Sequence, residues 1–302
     1  MIVNHRFGTT TYYRHRAPTA RWRALRLLLP AVTLLAAAAV TAGFAVRSHL
    51  AHPVYGPPGP GQTSYRIAGQ DVVSSSGQRL VPIASLAKVM TAYLVLRDHP
   101  LDGGDGSLGL TVTAADVADT ERRAGQDESI VQVAVGETLT EQQALAALLL
   151  PSANNVAAML ARAAAGSSAA FVARMNNMAD ALGMRHTTYT DPSGFDEATR
   201  STAADQLVLA QQAMRQPDFA ALVALPSYEL PVAGTVHNTN RLIGREGFVG
   251  IKTGSDAAAG GCFMFRAHRS GGDVTGVVLG RSGHDLIGAA LQAARELVES
   301  VA

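Results

Sequence analysis

Residues 81–96 read VPIASLAKVMTAYLVL, an apolar helical run with one lysine, Lys88, in its interior. The chain has 25 basic residues and writes only two of them, Lys88 and Lys252, as lysine. Such a bias points to positions where an amine does something a guanidinium cannot. Ser85 stands three residues before Lys88, a spacing that puts both side chains on one helical face. A serine hydroxyl is a weak nucleophile until a neighbouring base takes its proton. Lysine serves as that base once burial or another cation lowers its pKa, whereas arginine keeps its proton. Read alone, the pair also fits a surface lysine beside a capping serine.

The second lysine lies in GIKTGSDAAAGG on a predicted strand. Lys252, Thr253 and Gly254 present an ammonium, a hydroxyl and a bare backbone in succession. Gly254 permits close approach of a substrate backbone, and the N–H of Ser255 can help hold a developing oxyanion. A third short element, PSANN, puts Ser152 and Asn154 on a turn between two predicted helices, where such residues ordinarily cap.

Around these elements the chain divides by texture. Residues 1–26 carry six arginines and no acidic residue, and residues 27–46 are twenty in a row without a charge. That length suits a membrane-crossing helix, and the arginines would keep its start in the cytoplasm. A cleavable signal with small residues near Gly43 and Ala45 is the alternative reading. Either way the body is expected outside the membrane. Residues 47–64, rich in Pro and Gly, read as a spacer, and the folded part is expected over residues 65–302.

Within that part, residues 64–82 predict two short strands about a turn. Helices follow in the middle: a Thr140/Gln143 capping box opens EQQALAALLL, Gly166 stops ANNVAAMLARAAAG, and SSAAFVARMNNMADALG and TAADQLVLAQQAMRQ supply two more. FVGIKTG, GCFMFRAHR and VTGVVLG predict three strands, the last two a hairpin through SGGD, and DLIGAALQAARELVES a closing helix. Strands at both ends with helices between them predict an α/β (α+β) fold: an antiparallel sheet assembled from the two termini and flanked by helices, beside a helical subdomain.

Composition excludes some classes of function. The arginines of residues 1–26 leave an acidic excess on the rest, against nucleic-acid binding. The single cysteine, Cys262, allows no internal disulfide. His49 and His52 sit close together in the spacer without other ligands to complete a metal set, so no metal or other cofactor is expected.

Ser-x-x-Lys, Ser-x-Asn and Lys-Thr-Gly in this order form the signature of penicillin-binding proteins and serine β-lactamases. Here they fall at Ser85, Ser152 and Lys252, each in its expected helix-start, turn and strand context. From Tyr65 to the C-terminus the chain resembles the serine D-alanyl-D-alanine carboxypeptidases, the low-molecular-mass penicillin-binding proteins. LGMRHTTYTDPSGF, NTNRLIG and AGGCFMFRAHR are similar to segments of that family. The resemblance implies a DD-peptidase/β-lactamase-like fold and an enzyme acting on peptidoglycan stem peptides, with β-lactam antibiotics as inhibitors. It implies Ser85 as acylated nucleophile, Lys88 as general base and Ser152 as proton relay to the leaving D-alanine. Asn154 would hold the substrate amide and Lys88, Lys252 would supply positive potential, and Thr253 would bind the terminal carboxylate. The N–H groups of Ser85 and Ser255 would form the oxyanion hole.

The chain departs from the family in two places. Many members carry a further domain and a C-terminal anchor, whereas here the anchor is expected at the N-terminus. Some carry a basic residue where Thr239 stands, which leaves carboxylate recognition to Thr253 with Arg241 or Arg245. Two rival functions share the motifs. A β-lactamase needs a carboxylate-held water, for which Asp196 and Glu197 are the candidates, although they lack the expected loop setting. A non-catalytic wall-binding or sensor module could keep the fold without the chemistry.

Overall fold

A computed structural model of the chain describes residues 61–102 and 104–301. The basic segment, the uncharged stretch and nearly all of the spacer lie outside the described residues. Among the described residues, no single helix is long and apolar enough to cross a membrane.

The sheet has five strands: β1 (Gln62–Ile67), β2 (Val72–Ser74), β3 (Phe248–Asp256), β4 (Gly260–Ala267) and β5 (Val274–Arg281). Their spatial order is β2-β1-β5-β4-β3, antiparallel throughout. The two ends of the folded chain meet in it, since β1 pairs with β5 from Gln62 opposite Leu279 to Ile67 opposite Val274. Strand β1 therefore begins at Gln62, three residues ahead of Tyr65. Gln62, Thr63 and Ser64 read as polar spacer, but all three are buried. Gln62 offsets the cost by donating from Nε2 to the Arg79 carbonyl at 2.7 Å and accepting from the Ala203 N–H at 3.1 Å.

Strands β4 and β5 are covered on both faces, and so their sequences are apolar at nearly every position instead of alternating. On one face Phe248, Phe263 and Phe265 cluster with ring centroids 5.6–6.2 Å apart. A Cβ at Gly276 would run into the Phe265 ring, which explains that glycine inside a strand.

Against the opposite face stands the helical block. Its centre is α1 (Ala87–Asp98), whose residues from Ala87 to Leu96 are all buried except Tyr93. A helix enclosed on every side carries no apolar stripe. Around it lie α2 (Ala114–Ala124), α3 (Glu141–Leu149), α4 (Asn154–Ala165), α5 (Ser168–Ala181), α6 (Ala203–Ala213) and α7 (Pro217–Val223). The expected boundaries have local causes. Thr140 and Gln143 form a reciprocal capping box, Gly166 ends α4 with φ 78°, and Ser167 caps α5. The last helix, α8 (Leu286–Ser300), covers the phenylalanine face of the sheet, its first turn held by Asp285 accepting from the Gly288 N–H at 2.8 Å. Helices α2 and α7 and the hairpin Ser227–Leu230 with Gly234–His237 are additions to the sequence reading.

Candidate active site

The short strand Val81–Pro82, paired with Arg200–Ser201, leads into a 3₁₀ turn, Ala84–Leu86, that runs straight into α1. Ala84 has φ 47°, rare for a residue with a side chain, and Ser85 sits on the turn it begins. One turn on, the Nζ of Lys88 lies 2.8 Å from the Ser85 Oγ and donates to the Ser193 carbonyl at 2.8 Å. The Lys88 side chain is completely buried. A neutral amine suits both contacts, giving a proton to Ser193 and turning its lone pair to the serine O–H.

The loop that supplies the Ser193 carbonyl is organised by Asp191. Its carboxylate accepts from the N–H groups of Ser193 at 3.0 Å and Gly194 at 2.9 Å and from the Thr199 hydroxyl at 2.8 Å. Thr91 on α1 donates to the Pro192 carbonyl at 2.7 Å. Gly194, with φ 79°, packs so tightly that a Cβ would overlap the Ala84 carbonyl. Loop, nucleophile turn and α1 thus lock one another.

Strand β3 forms the facing wall. Lys252 and Thr253 are buried, and the Lys252 Nζ donates to the Thr253 carbonyl at 3.0 Å. A Cβ on Gly254 would lie 2.9 Å from the Ser85 backbone nitrogen and 3.3 Å from the Ala84 Cβ. The close approach that Gly254 allows therefore includes the nucleophile turn itself. Ser255 follows half-buried, opposite Gly261 on β4. The Thr253 hydroxyl sits 2.6 Å from that of Thr239. Arg241, a sequence candidate for carboxylate binding, instead pairs with Asp285 at 2.6 Å and is largely exposed.

The third motif occupies the turn between α3 and α4. Ser152 has φ 71°, and its Oγ is buried without a hydrogen-bond partner among the described residues. Asn154 opens α4. Its Nδ2 donates to Glu128 Oε2 at 2.7 Å rather than to a group at Lys88, while its Oδ1 is buried and unpartnered among the described residues. Unsatisfied buried oxygens are rare and costly in a finished core, but natural where a ligand is to come. Arg123 Nη1 also donates to Glu128 Oε2 at 2.7 Å, so a partly buried ion pair holds the asparagine. A cavity of about 570 Å³ opens beside Asn154 and Ser193, walled by Arg122, Glu128, Asp191 and Phe195.

The electrostatics follow from burial. Desolvation, then the charge of Lys252, pushes the Lys88 amine well below its ordinary pKa, with Asp191 and Glu128 drawing it partly back. Burial brings Lys252 down to about 7. Asp196 and Glu197 are exposed, and Asp196 accepts from the Ala198 N–H at 2.9 Å. Glu128 and Asp191 escaped the sequence reading as site residues, their only local signals being an ordinary glutamate in GQDESI and the Asp-Pro-Ser-Gly turn, whereas Thr239 entered it only as the position where some family members carry a basic residue.

Comparison with known proteins agrees with this geometry. The D-alanyl-D-alanine carboxypeptidase family of peptidases matches residues 68–283. D-alanyl-D-alanine carboxypeptidase DacB2 of Mycobacterium tuberculosis is 35% identical, over 71% of this chain and 73% of its own. A D-alanyl-D-alanine endopeptidase of Pseudomonas aeruginosa is 32% identical, over 70% of this chain and 67% of its own. The crystal structure of the Streptomyces K15 DD-transpeptidase superposes with a TM-score of 0.70 at 26% identity, covering 78% of this chain and 94% of that one. The chain belongs to the D-alanyl-D-alanine carboxypeptidases, a family of serine hydrolases, and has their mixed α/β fold.

Proposed function

We propose that this protein removes the terminal D-alanine from peptidoglycan stem peptides through an acyl-enzyme on Ser85. The observation that carries the reading is the 2.8 Å contact between the Ser85 hydroxyl and a buried amine whose proton affinity burial and a second lysine have lowered. Neutral Lys88 takes the Ser85 proton as Oγ attacks the carbonyl of the penultimate D-alanine. The N–H groups of Ser85 and Ser255 receive the developing oxyanion. The Ser152 hydroxyl, unpartnered among the described residues, hands a proton to the departing amine and takes in its place the one that Lys88 received from Ser85, and Asn154 Oδ1 accepts from the substrate's amide N–H. Lys252 and Thr253 hold the departing residue. Water then cleaves the ester and regenerates Ser85.

The strained amide of a β-lactam enters the same first step, and the ring-opened ester stays on Ser85. Exposed Asp196 and Glu197 favour this persistence over the rapid turnover of a β-lactamase. The arginines of residues 1–26 and the uncharged residues 27–46 support a single membrane anchor, with the enzyme on the outer side where its substrate lies.

The test uses the full chain in detergent with a peptide ending in D-Ala-D-Ala and, separately, a labelled penicillin. D-Alanine release together with a long-lived adduct on Ser85 is expected. Rapid drug turnover without an adduct would make the protein a β-lactamase. A folded protein giving neither signal would be a binding or sensor module.

A further inference from the structure

Residues 128–131 run along the start of α4 and are fastened to it at two asparagines. The Asn154 N–H donates to the Ser129 carbonyl at 2.7 Å, and the Asn154 Nδ2 donates to Glu128 Oε2 at 2.7 Å. Asn155 takes the next residues. Its Oδ1 accepts from the Val131 N–H at 3.3 Å, and its Nδ2 donates to the Val131 carbonyl at 2.8 Å and to Thr120 Oγ1 at 3.0 Å. Both ends of the Asn155 amide are thus used within the fold. Of the Asn154 amide, only the nitrogen end is used among the described residues.

A side-chain amide donates at one end and accepts at the other, so the group facing one end decides what the other end offers. A carboxylate only accepts, and Glu128 therefore takes Nδ2 and turns Oδ1 away from itself. The glutamate is held from its other side by α2. Arg123 donates from Nη1 to the same Oε2 at 2.7 Å and from Nε to Asp119 Oδ2 at 2.7 Å, and the Glu128 N–H donates to the Arg123 carbonyl at 3.1 Å. With 2% of its side chain exposed, the carboxylate stays where these donors are. The same charge acts on the base. Burial and then the charge of Lys252 lower the Lys88 pKa, and Arg123 adds to them, while Asp191 and Glu128 oppose them. Loss of the Glu128 charge leaves the Arg123 charge less compensated and lowers the Lys88 amine further.

We propose that Glu128 is a positioning residue that acts through Asn154. By holding Nδ2 it presents the oxygen of that amide to the substrate, so the site selects for an N–H on the residue whose carbonyl Ser85 attacks. The proposal rests on the acyl-enzyme reading above.

The experiment measures kcat/KM of the full chain in detergent on two peptides, one ending in D-Ala-D-Ala and one in which an ester oxygen replaces the N–H of the penultimate residue. The wild type is expected to prefer the all-amide peptide by about tenfold to a hundredfold, because the ester leaves a buried acceptor without a donor. Glu128→Met fills the space but accepts nothing, so the Asn154 amide is free to turn. The preference should then shrink to about threefold or less. A packing defect alone would slow both peptides and leave their ratio as it was. Glu128→Gln should keep the ratio, since one amide oxygen can take both donors now on Oε2. It should also move the acid limb of the kcat/KM profile to lower pH, as Lys88 loses an opposing charge. A wild type indifferent to the ester would overturn the proposal. So would Glu128→Met that acylates with penicillin and keeps the wild-type ratio, or Glu128→Gln with an unmoved acid limb. If Glu128→Met does not fold, the wild-type ratio and the Glu128→Gln profile decide. Failure of the underlying reading looks different: no penicillin adduct and neither peptide cut.

Discussion

Two lysines among many arginines mark the chemistry of this chain at the scale of single residues. Both are buried and both have lowered proton affinities, but the mechanism asks opposite things of them. Lys88 must be neutral to act as a base, so acylation should rise with pH as its amine loses the proton. Its ionisation is displaced downward first by burial and then by Lys252. In the proposed mechanism Lys252 must stay charged to supply positive potential to the site, and with its pKa brought down to about 7 the rate should fall again as pH climbs past that value. A bell-shaped pH profile of kcat/KM on a D-Ala-D-Ala peptide is therefore expected. In Lys252→Arg, which holds its charge at every working pH, the alkaline limb should move up by several pH units while the acid limb remains. An alkaline limb that does not move would remove Lys252 from that role. The sequence showed the Ser85–Lys88 pair because a spacing of three on a helix determines the contact. Glu128 stayed hidden because its importance depends on Asn154, 26 residues further on, a juxtaposition that only the fold creates.

At the scale of elements, the legible features were those with local causes. The Thr140 box, the Ser167 cap and the glycine at 166 each satisfy or terminate a helix through neighbouring atoms, and their boundaries followed. Helix α2 was harder to see, since its segment ADVADTERRA is polar and only Asp116 and Thr120 are buried in it. Strand β3 shows an element shaped to serve a neighbour. Gly254 presses on the nucleophile turn, with a would-be Cβ 2.9 Å from the Ser85 nitrogen and 3.2 Å from Leu86 Cδ1. Gly254→Ala meets backbone that cannot yield without moving Ser85. We expect it to cost about 1–3 kcal/mol of stability. We also expect it to slow penicillin acylation by about a hundredfold, since small displacements of a reacting group are costly. Thermal melting and stopped-flow labelling check the two halves. Acylation at the wild-type rate would show that the turn does not depend on this contact.

At the scale of the whole molecule, the fold closes a sheet with strands from both ends and places a helical block against one face, so that three motifs distant in sequence converge. The topology was legible because strands cluster at the two ends of the folded part and helices between them. The start of β1 was not, because Gln62, Thr63 and Ser64 are polar residues buried through hydrogen bonds and pairing with β5, which no hydrophobic pattern reports. All this architecture serves one arrangement, an amine kept dry beside a serine. The most direct test is intact-protein mass spectrometry after exposure to penicillin, on wild type and on Lys88→Arg, with the isosteric Lys88→Met as a packing control. One adduct mapped to Ser85 is expected in the wild type, and none in either variant while both remain folded. Labelling of folded Lys88→Arg at the wild-type rate, or an adduct on a residue other than Ser85, would contradict the account.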